Sequence, residues 1–244
     1  MKIVATIEAR MTSSRLPGKI LLTAGGKTML EHLVRRLQQV QSIDEIVLAT
    51  TTNATDDSLI EEARRLGIKW FRGSEEDVID RVIGAATSAG AEILVEITGD
   101  CPIIDPLLVE QTIQMFLHNE CDYASNTHVQ SYPIGMDTQV YRLETLVRSA
   151  SMTQDPLDHE HVTYHIIRNP QLFRQVALFA PPDCHWEGLG LTLDEREDYL
   201  LLRELIEHFG DANPYFSCRE VVAYLRSHPE LLDINSDVRR KGYE

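Results

Sequence analysis

Ile93-Leu94-Val95-Glu96-Ile97-Thr98, followed by Gly99-Asp100-Cys101-Pro102-Ile103-Ile104-Asp105-Pro106, reads as a short buried strand, a polar turn and the start of a helix. Asp105 is placed to cap that helix, and Pro106 brings the fixed φ that suits its first position. The same strand-then-helix unit recurs on the N-terminal side. Ile3-Val4-Ala5-Thr6-Ile7 is an apolar strand, and a polar loop runs from Arg10 to about Gly26. Thr28-x-x-Glu31 has the spacing of a capping box and opens a helix with Leu30, Leu33, Val34 and Leu37 on one face. Ile46-Val47-Leu48-Ala49-Thr50 is the next strand, then a helix through Leu59, Ile60, Ala63 and Leu66 stops at Gly67. Ile68-Lys69-Trp70-Phe71 follows, with Ser74 as the expected N-cap of a helix carrying Val78, Val82, Ala85 and Ala89 up to Gly90. Such alternation predicts right-handed βαβ units. The class is α/β, with a mostly parallel central sheet flanked by helices.

The second half is less regular. Strands are expected at Asp122–Ser125, Gln139–Tyr141, Phe173–Phe179 and Leu189–Leu193. Residues 126–170 break the alternation and read as an inserted arm within a single domain of 244 residues. A long amphipathic helix follows Asp194, with Tyr199, Leu202, Ile206 and Phe209 on one stripe. A weaker helical pattern continues through Val221, Val222 and Leu225 towards a polar tail.

Charge narrows the partners. Lys and Arg number 23 against 38 Asp and Glu, a net charge of −15, and a nucleic acid needs the opposite sign. Cys101, Cys121, Cys184 and Cys218 show neither CxxC nor paired-histidine spacing, so zinc and disulfide frameworks are not indicated. No apolar run approaches the roughly 20 residues of a membrane span, and Glu8 and Arg10 interrupt any signal-peptide core. The expected setting is the cytoplasm.

In an open α/β sheet, ligands bind beyond the carboxyl ends of the strands, and three polar clusters fall there. The first is the loop Arg10-Met11-Thr12-Ser13-Ser14-Arg15-Leu16-Pro17-Gly18-Lys19. Its three cations, hydroxyls and glycine suit a wrapped triphosphate, with a solvated basic loop as the alternative; it is not a Walker A motif. The second is Gly99-Asp100, where a carboxylate just past a buried strand suits Mg²⁺ shared with phosphate oxygens. The third is Asp194-Glu195-Arg196-Glu197, which by itself reads first as a helix cap, a role compatible with ligation because a cap uses one oxygen. His161 and His165 have the spacing of a zinc pair but lack an HExxH context and a third ligand, so packing or polar contacts are the better reading.

At these residues the chain resembles the bacterial sugar-acid cytidylyltransferases. The resemblance rests on Ala9-Arg10-x-x-Ser13-x-Arg15-Leu16-Pro17-Gly18-Lys19, with Gly25-Gly26-Lys27-x-Met29-Leu30, Gly99-Asp100-x-Pro102-Ile103-Ile104-Asp105 and Asp194-x-x-Glu197-Asp198 in the same order. The local pattern is similar to CMP-Kdo synthetases, and the whole length is similar to the spore coat polysaccharide biosynthesis protein F group, which sits with the acylneuraminate cytidylyltransferases. The resemblance implies a GT-A-like nucleotide-diphospho-sugar transferase fold with a small dimerisation arm, and hence a homodimer. It implies CTP and a small anionic sugar-acid acceptor as substrates, Mg²⁺ as cofactor, and release of pyrophosphate.

Carried over by position, Arg10, Arg15, Lys19 and Asp100 would be catalytic, and Asp100 and Asp194 would hold the metal. Ala9, Arg10, Ser13, Arg15, Lys19, Arg72, Ser74, Asp80, Arg81 and Gly99 would contact the nucleotide. Asn126, Tyr132, Gly135, Asp137 and His161 would fall on the acceptor side. Two positions depart from the family pattern: Glu8 replaces the usual proline or glutamine and adds a negative charge near the triphosphate, and Thr12 stands where glycine is frequent. Other readings keep the fold but change the chemistry: a phosphonate or sugar-phosphate acceptor, a GT-A glycosyltransferase using a nucleotide sugar, or a nucleotide-binding protein without turnover.

Overall fold

A computed structural model describes residues 1–239. The main sheet contains β1 (Ile3–Glu8), β4 (Glu45–Thr51), β5 (Lys69–Gly73), β6 (Ile93–Thr98), β7 (Tyr123–Ser125), β8 (Gln139–Arg142) and β9 (Gln175–Ala177). A two-stranded hairpin is formed by β2 (Thr23–Ala24) and β3 (Lys27–Thr28). The main sheet runs in the order β5-β4-β1-β6-β8-β7-β9. The first four strands are mutually parallel, β8 lies antiparallel between β6 and β7, and β9 pairs parallel to β7. Mixed α/β architecture is thus the outcome, with β8 as the strand that breaks the parallel run.

Helices cover both faces because the strands alternate. Ile3, Ala5 and Ile7 of β1 join Ile46 and Leu48 of β4 in a core with α1 (Met29–Leu37), α2 (Asp57–Leu66) and α4 (Pro106–His118). Val4, Val47 and Ala49 face the other way, against α3 (Val78–Ala89), α5 (Leu143–Ser151) and α7 (Tyr164–Arg168). The period of two in the side chains becomes two helical layers. Segment 126–170 contributes β8 to the sheet and carries α5, α6 (Pro156–Glu160) and α7. A third cluster is built from α8 (Arg196–Phe209) and α9 (Cys218–Ser227) around Leu189, Leu191 and Leu193. Among the described residues no helix is long and apolar enough to cross a membrane.

Several local expectations change. Leu189–Leu193 is not a sheet strand: it makes an isolated bridge between Ile134 and Gly190, and its alternating leucines are satisfied by α8 and α9. Asp77, not Ser74, caps α3, accepting from Asp80 N at 2.9 Å, while Ser74 Oγ accepts from Asp77 N at 2.9 Å and shapes the turn before it. Glu195, not Asp194, caps α8 in a box with Asp198. Thr28 does cap α1, but Glu31 turns its carboxylate to Arg35 and Arg65 rather than back to the cap. Charge partners outcompete the reciprocal bond. β9 covers only the centre of Phe173–Phe179, since Phe173 turns into the core. Asp105 caps α4 as expected, accepting from Leu107 N at 2.9 Å. The polar tail beyond residue 239 lies outside the described residues.

Candidate active site

The loop after β1 is the first wall of the site. It is closed by Gly18 N donating to Met11 O at 3.0 Å and anchored by Met11 N donating to Asp56 Oδ1 at 2.8 Å. Asp56 is fully buried and accepts also from Thr50 Oγ1, Thr51 N and Thr51 Oγ1. Burial pushes its carboxyl up, but hydrogen bonds from Thr51, Met11 and Thr50 outweigh that and hold it below the usual carboxylate range.

The loop after β6 is the second wall. Gly99 N donates to Glu8 O at 2.9 Å, bringing the ends of β1 and β6 into backbone contact. A Cβ at Gly99 would lie 2.7 Å from that carbonyl, so only glycine fits. Asp100 follows, its Oδ1 accepting from Thr98 Oγ1 at 2.6 Å.

The third wall is the stretch ending at Asp194. Gly135, at φ +104°, lies beneath it, and a Cβ there would come within 2.6 Å of the Leu191 carbonyl carbon and oxygen.

Four charged side chains from these walls converge. Arg15 Nη2 donates to Asp194 Oδ1 at 2.7 Å. Lys19 Nζ lies 3.3 Å from the same oxygen and 3.7 Å from Asp100 Oδ2. The other Asp194 oxygen accepts from Thr192 Oγ1 at 2.9 Å. Asp194 is 7% exposed, so these are half-sheltered pairs in which loss of one charge leaves its partner uncompensated. One ammonium thus spans two carboxylates contributed by residues 94 positions apart in sequence, with a guanidinium on the second.

The remaining predicted residues divide into groups. Arg10 faces the opposite wall, 3.5 Å from Glu75 Oε1, and Glu75 also accepts from Thr12 Oγ1 and Asn53 Nδ2. Ala9 is buried, its N–H donating to Ala49 O, and Ser13 is half-buried in the same loop. Arg72 binds Thr51 O, Asn53 O and Asp57, so it braces the loop after β4. Asp80 is exposed at the start of α3, whereas Arg81 is buried and donates to Ser74 O.

Of the residues expected on the acceptor side, Asn126 is buried and uses both ends of its amide on backbone, Met136 O and Thr138 N. Tyr132 is buried with its hydroxyl donating to Phe179 O. Asp137 lies near Cys101: burial first, then the charges of Asp100 and Asp137, pushes that thiol well above its ordinary value. His161 is exposed and meets the Tyr164 ring edge-on. His165 instead faces Asp158 at 3.4 Å, so the two histidines do not form a ligand pair. Among the described residues no three His, Cys, Asp or Glu side chains are grouped to hold a metal.

Two groups escaped the sequence reading. Asp56 looked like one more loop acid in Asn53-Ala54-Thr55-Asp56-Asp57. Glu96 was visible as the single charge inside the apolar strand Ile93–Thr98, a signal worth weight because acids are seldom fully buried. It is 3% exposed and accepts from Tyr141 Oη. Glu8, expected to charge the triphosphate loop, instead has its carboxyl oxygens sealed from solvent. Burial, then Glu96, raises its pKa well above the normal range.

The family model for cytidylyltransferases matches residues 4–227. The chain belongs to the cytidylyltransferase family. Nucleotidyl transfer is therefore its class of activity. Bacillus subtilis spore coat polysaccharide biosynthesis protein SpsF is 33% identical over 233 residues, covering 93% of this chain and 95% of SpsF. A cytidylyltransferase from Leptospira borgpetersenii superposes with a TM-score of 0.90 at 31% identity, covering 95% of this chain and 96% of its own. A CMP:2-keto-3-deoxy-manno-octonic acid synthetase solved with CTP superposes with a TM-score of 0.62 at 20% identity, over 85% of this chain and 99% of its own. That last likeness speaks for the fold alone.

Proposed function

We propose that this cytidylyltransferase joins CMP from CTP to a small sugar acid of the 2-keto-3-deoxy or nonulosonic type and releases pyrophosphate. The observation that carries this reading is Lys19, placed between Asp100 and Asp194 with Arg15 alongside. Two anions and two cations neutralise each other in the free protein. A triphosphate offers Arg15 and Lys19 stronger anionic partners, and both carboxylates are then released for a cation.

Asp100 and Asp194 fit Mg²⁺ by donor type: two hard carboxylates brought together on either side of Lys19. When bound there, the ion would supply charge neutralisation at the α-phosphate. The protein's own part is positional and electrostatic. An acceptor hydroxyl attacks the α-phosphorus in line while the bond to pyrophosphate breaks. Lys19 and Arg15 stabilise the charge that accumulates on the departing group. Arg10 opposes them from the Glu75 wall. Arg72, Ser74, Asp80 and Arg81 line the neighbouring segment proposed for the base and ribose. Tyr132, Gly135 and Asn126 give the acceptor side a rigid floor, with Asp137 and His161 as its polar groups.

Similarity to SpsF supports a place in surface or spore-coat polysaccharide synthesis, and CTP as substrate supports a cytoplasmic setting. Exposed Val147 on α5, Met152 at its C-cap, Leu157 on α6 and Tyr164 on α7 support a homodimer through segment 126–170.

The test is pyrophosphate release from CTP with a panel of sugar acids, with and without Mg²⁺. Release that needs CTP, metal and a sugar acid is expected. CTP binding with no release under any acceptor would make the protein a nucleotide-binding module. Consumption of a nucleotide sugar instead would make it a glycosyltransferase.

A further inference from the structure

Beneath the site, on the α3 face of the sheet, lie two carboxyl groups that the proposed reaction does not use. β1 and β6 are parallel neighbours with Glu8 opposite Thr98 and Thr6 opposite Glu96, so Glu8 and Glu96 are diagonal neighbours on one face. Neither oxygen of Glu8 makes a well-formed hydrogen bond; burial and Glu96 raise its pKa more than the nearby Thr6 hydroxyl, Arg81 and its own backbone N–H lower it. Glu96 has Tyr141 Oη as its donor.

The charges facing the pair come from every surrounding element. Arg81 of α3 is a cation that acts on Glu8, and Arg10, Asp56 and Glu75 act in turn on the same Arg81. From β7 and β8 come the phenols Tyr123 and Tyr141, both raised by burial and by Glu96. His128, its pKa lowered by burial, lies against Tyr123 at a ring-centroid distance of 5.7 Å. Of the pair, Glu8 faces the Arg81 guanidinium and Glu96 the Tyr141 hydroxyl, so ionising both buried carboxyls would leave an uncompensated negative charge, which a retained proton removes.

We propose that Glu8 and Glu96 share a single proton, and that this protonated pair is the positioning element for the three loops around the site. The connections are short. Glu8 O holds Gly99 N, one residue before Asp100. Thr98, opposite Glu8, donates to Asp100. Glu8 is two residues from Arg10, and Arg81 holds Ser74 O in the loop before α3. Loss of the proton sets two buried anions against each other at the point where these loops meet. Burial pushes Glu96 up to about 7 and Glu8 well above its ordinary value, so the proton is retained up to about neutrality.

The activity test rests on CTP turnover. kcat/KM for CTP is followed against pH in wild type, Glu8→Gln and Glu96→Gln. Wild type is expected to lose activity on the alkaline side, and each variant to lose that limb or move it up by about one pH unit or more, because two buried anions can no longer face each other. Profiles that scale onto wild type at every pH would overturn the inference, since a purely structural role lowers activity without moving the limb. Carboxyl-carbon NMR of the wild type with ¹³C-labelled glutamate needs neither turnover nor variants. A glutamate titrating above about pH 6 is expected, and its absence overturns the shared proton. A wild type that shows this titration but does not turn over CTP would refute the proposed reaction and leave the pair standing.

Discussion

Leu193 N donates to Asp100 O at 2.8 Å. This one backbone bond joins the loop after β6 to the residue before Asp194, so the two acids of the site are fixed by main chain and not only by the cation between them. Preorganisation of that kind lets an electrostatic site act without reordering at the moment of reaction.

Asp100→Asn tests the acid nearest the sheet. The amide is isosteric and keeps an oxygen for Thr98, but it removes the anion facing Lys19. Turnover should fall at least about 10²-fold, with the thermal midpoint within a few degrees of wild type. Near-wild-type rates of pyrophosphate release would remove Asp100 from the chemistry.

Lys19→Ala tests the ammonium. Affinity for CTP should fall about 10-fold or more while CMP, which lacks the distal phosphates, loses much less. Titration calorimetry with both nucleotides gives the ratio. Equal losses would place Lys19 away from the distal phosphates.

The parallel half of the fold was legible because each element is local: short β-branched runs, capping residues, and glycines at 67 and 90 that end α2 and α3 in the left-handed region. Arg15, Lys19, Asp100 and Asp194 were nameable for the same reason, each lying in a compact motif past a strand. Their convergence was not, because it depends on the pairing of β1 with β6 and on the docking of 189–193. The failures share that cause. Leu189–Leu193 has strand periodicity but finds its partners in α8 and α9, and Asp194 lost the cap to its neighbour Glu195 because Arg15 and Lys19 claim it. Glu8's state depends first on its burial and then on Glu96, and sequence distance conceals both.

Gly135→Ala addresses the floor of the site. The position has φ +104°, and the new methyl would meet the Leu191 carbonyl carbon and oxygen at 2.6 Å. Both the backbone strain and the displaced 189–193 segment are destabilising, together by about 2–4 kcal/mol. Urea denaturation should show it as a lower midpoint with the slope unchanged. A loss below about 0.5 kcal/mol would mean that the segment yields freely and cannot hold Asp194 in place.

His159 ties α6 to the cap of α3, with Nδ1 2.9 Å from Asp77 Oδ2. The hydrogen bond to Asp77 raises its pKa, and burial opposes this less strongly. The folded protein therefore holds the proton more tightly than the unfolded chain. The resulting stability is fully present below the unfolded value of about 6.5 and is lost as pH rises through the higher folded value. The raised carboxyls of Glu8 and Glu96 drive stability down with pH as well, so the histidine's share has to be read as a difference. His159→Gln keeps a polar side chain but does not titrate. The gap in thermal midpoint between wild type and His159→Gln should be larger at about pH 6 than at about pH 8.5. A gap that stays constant across that range would show that His159 carries no proton-linked bond to Asp77, and that α6 is held against α3 by packing alone.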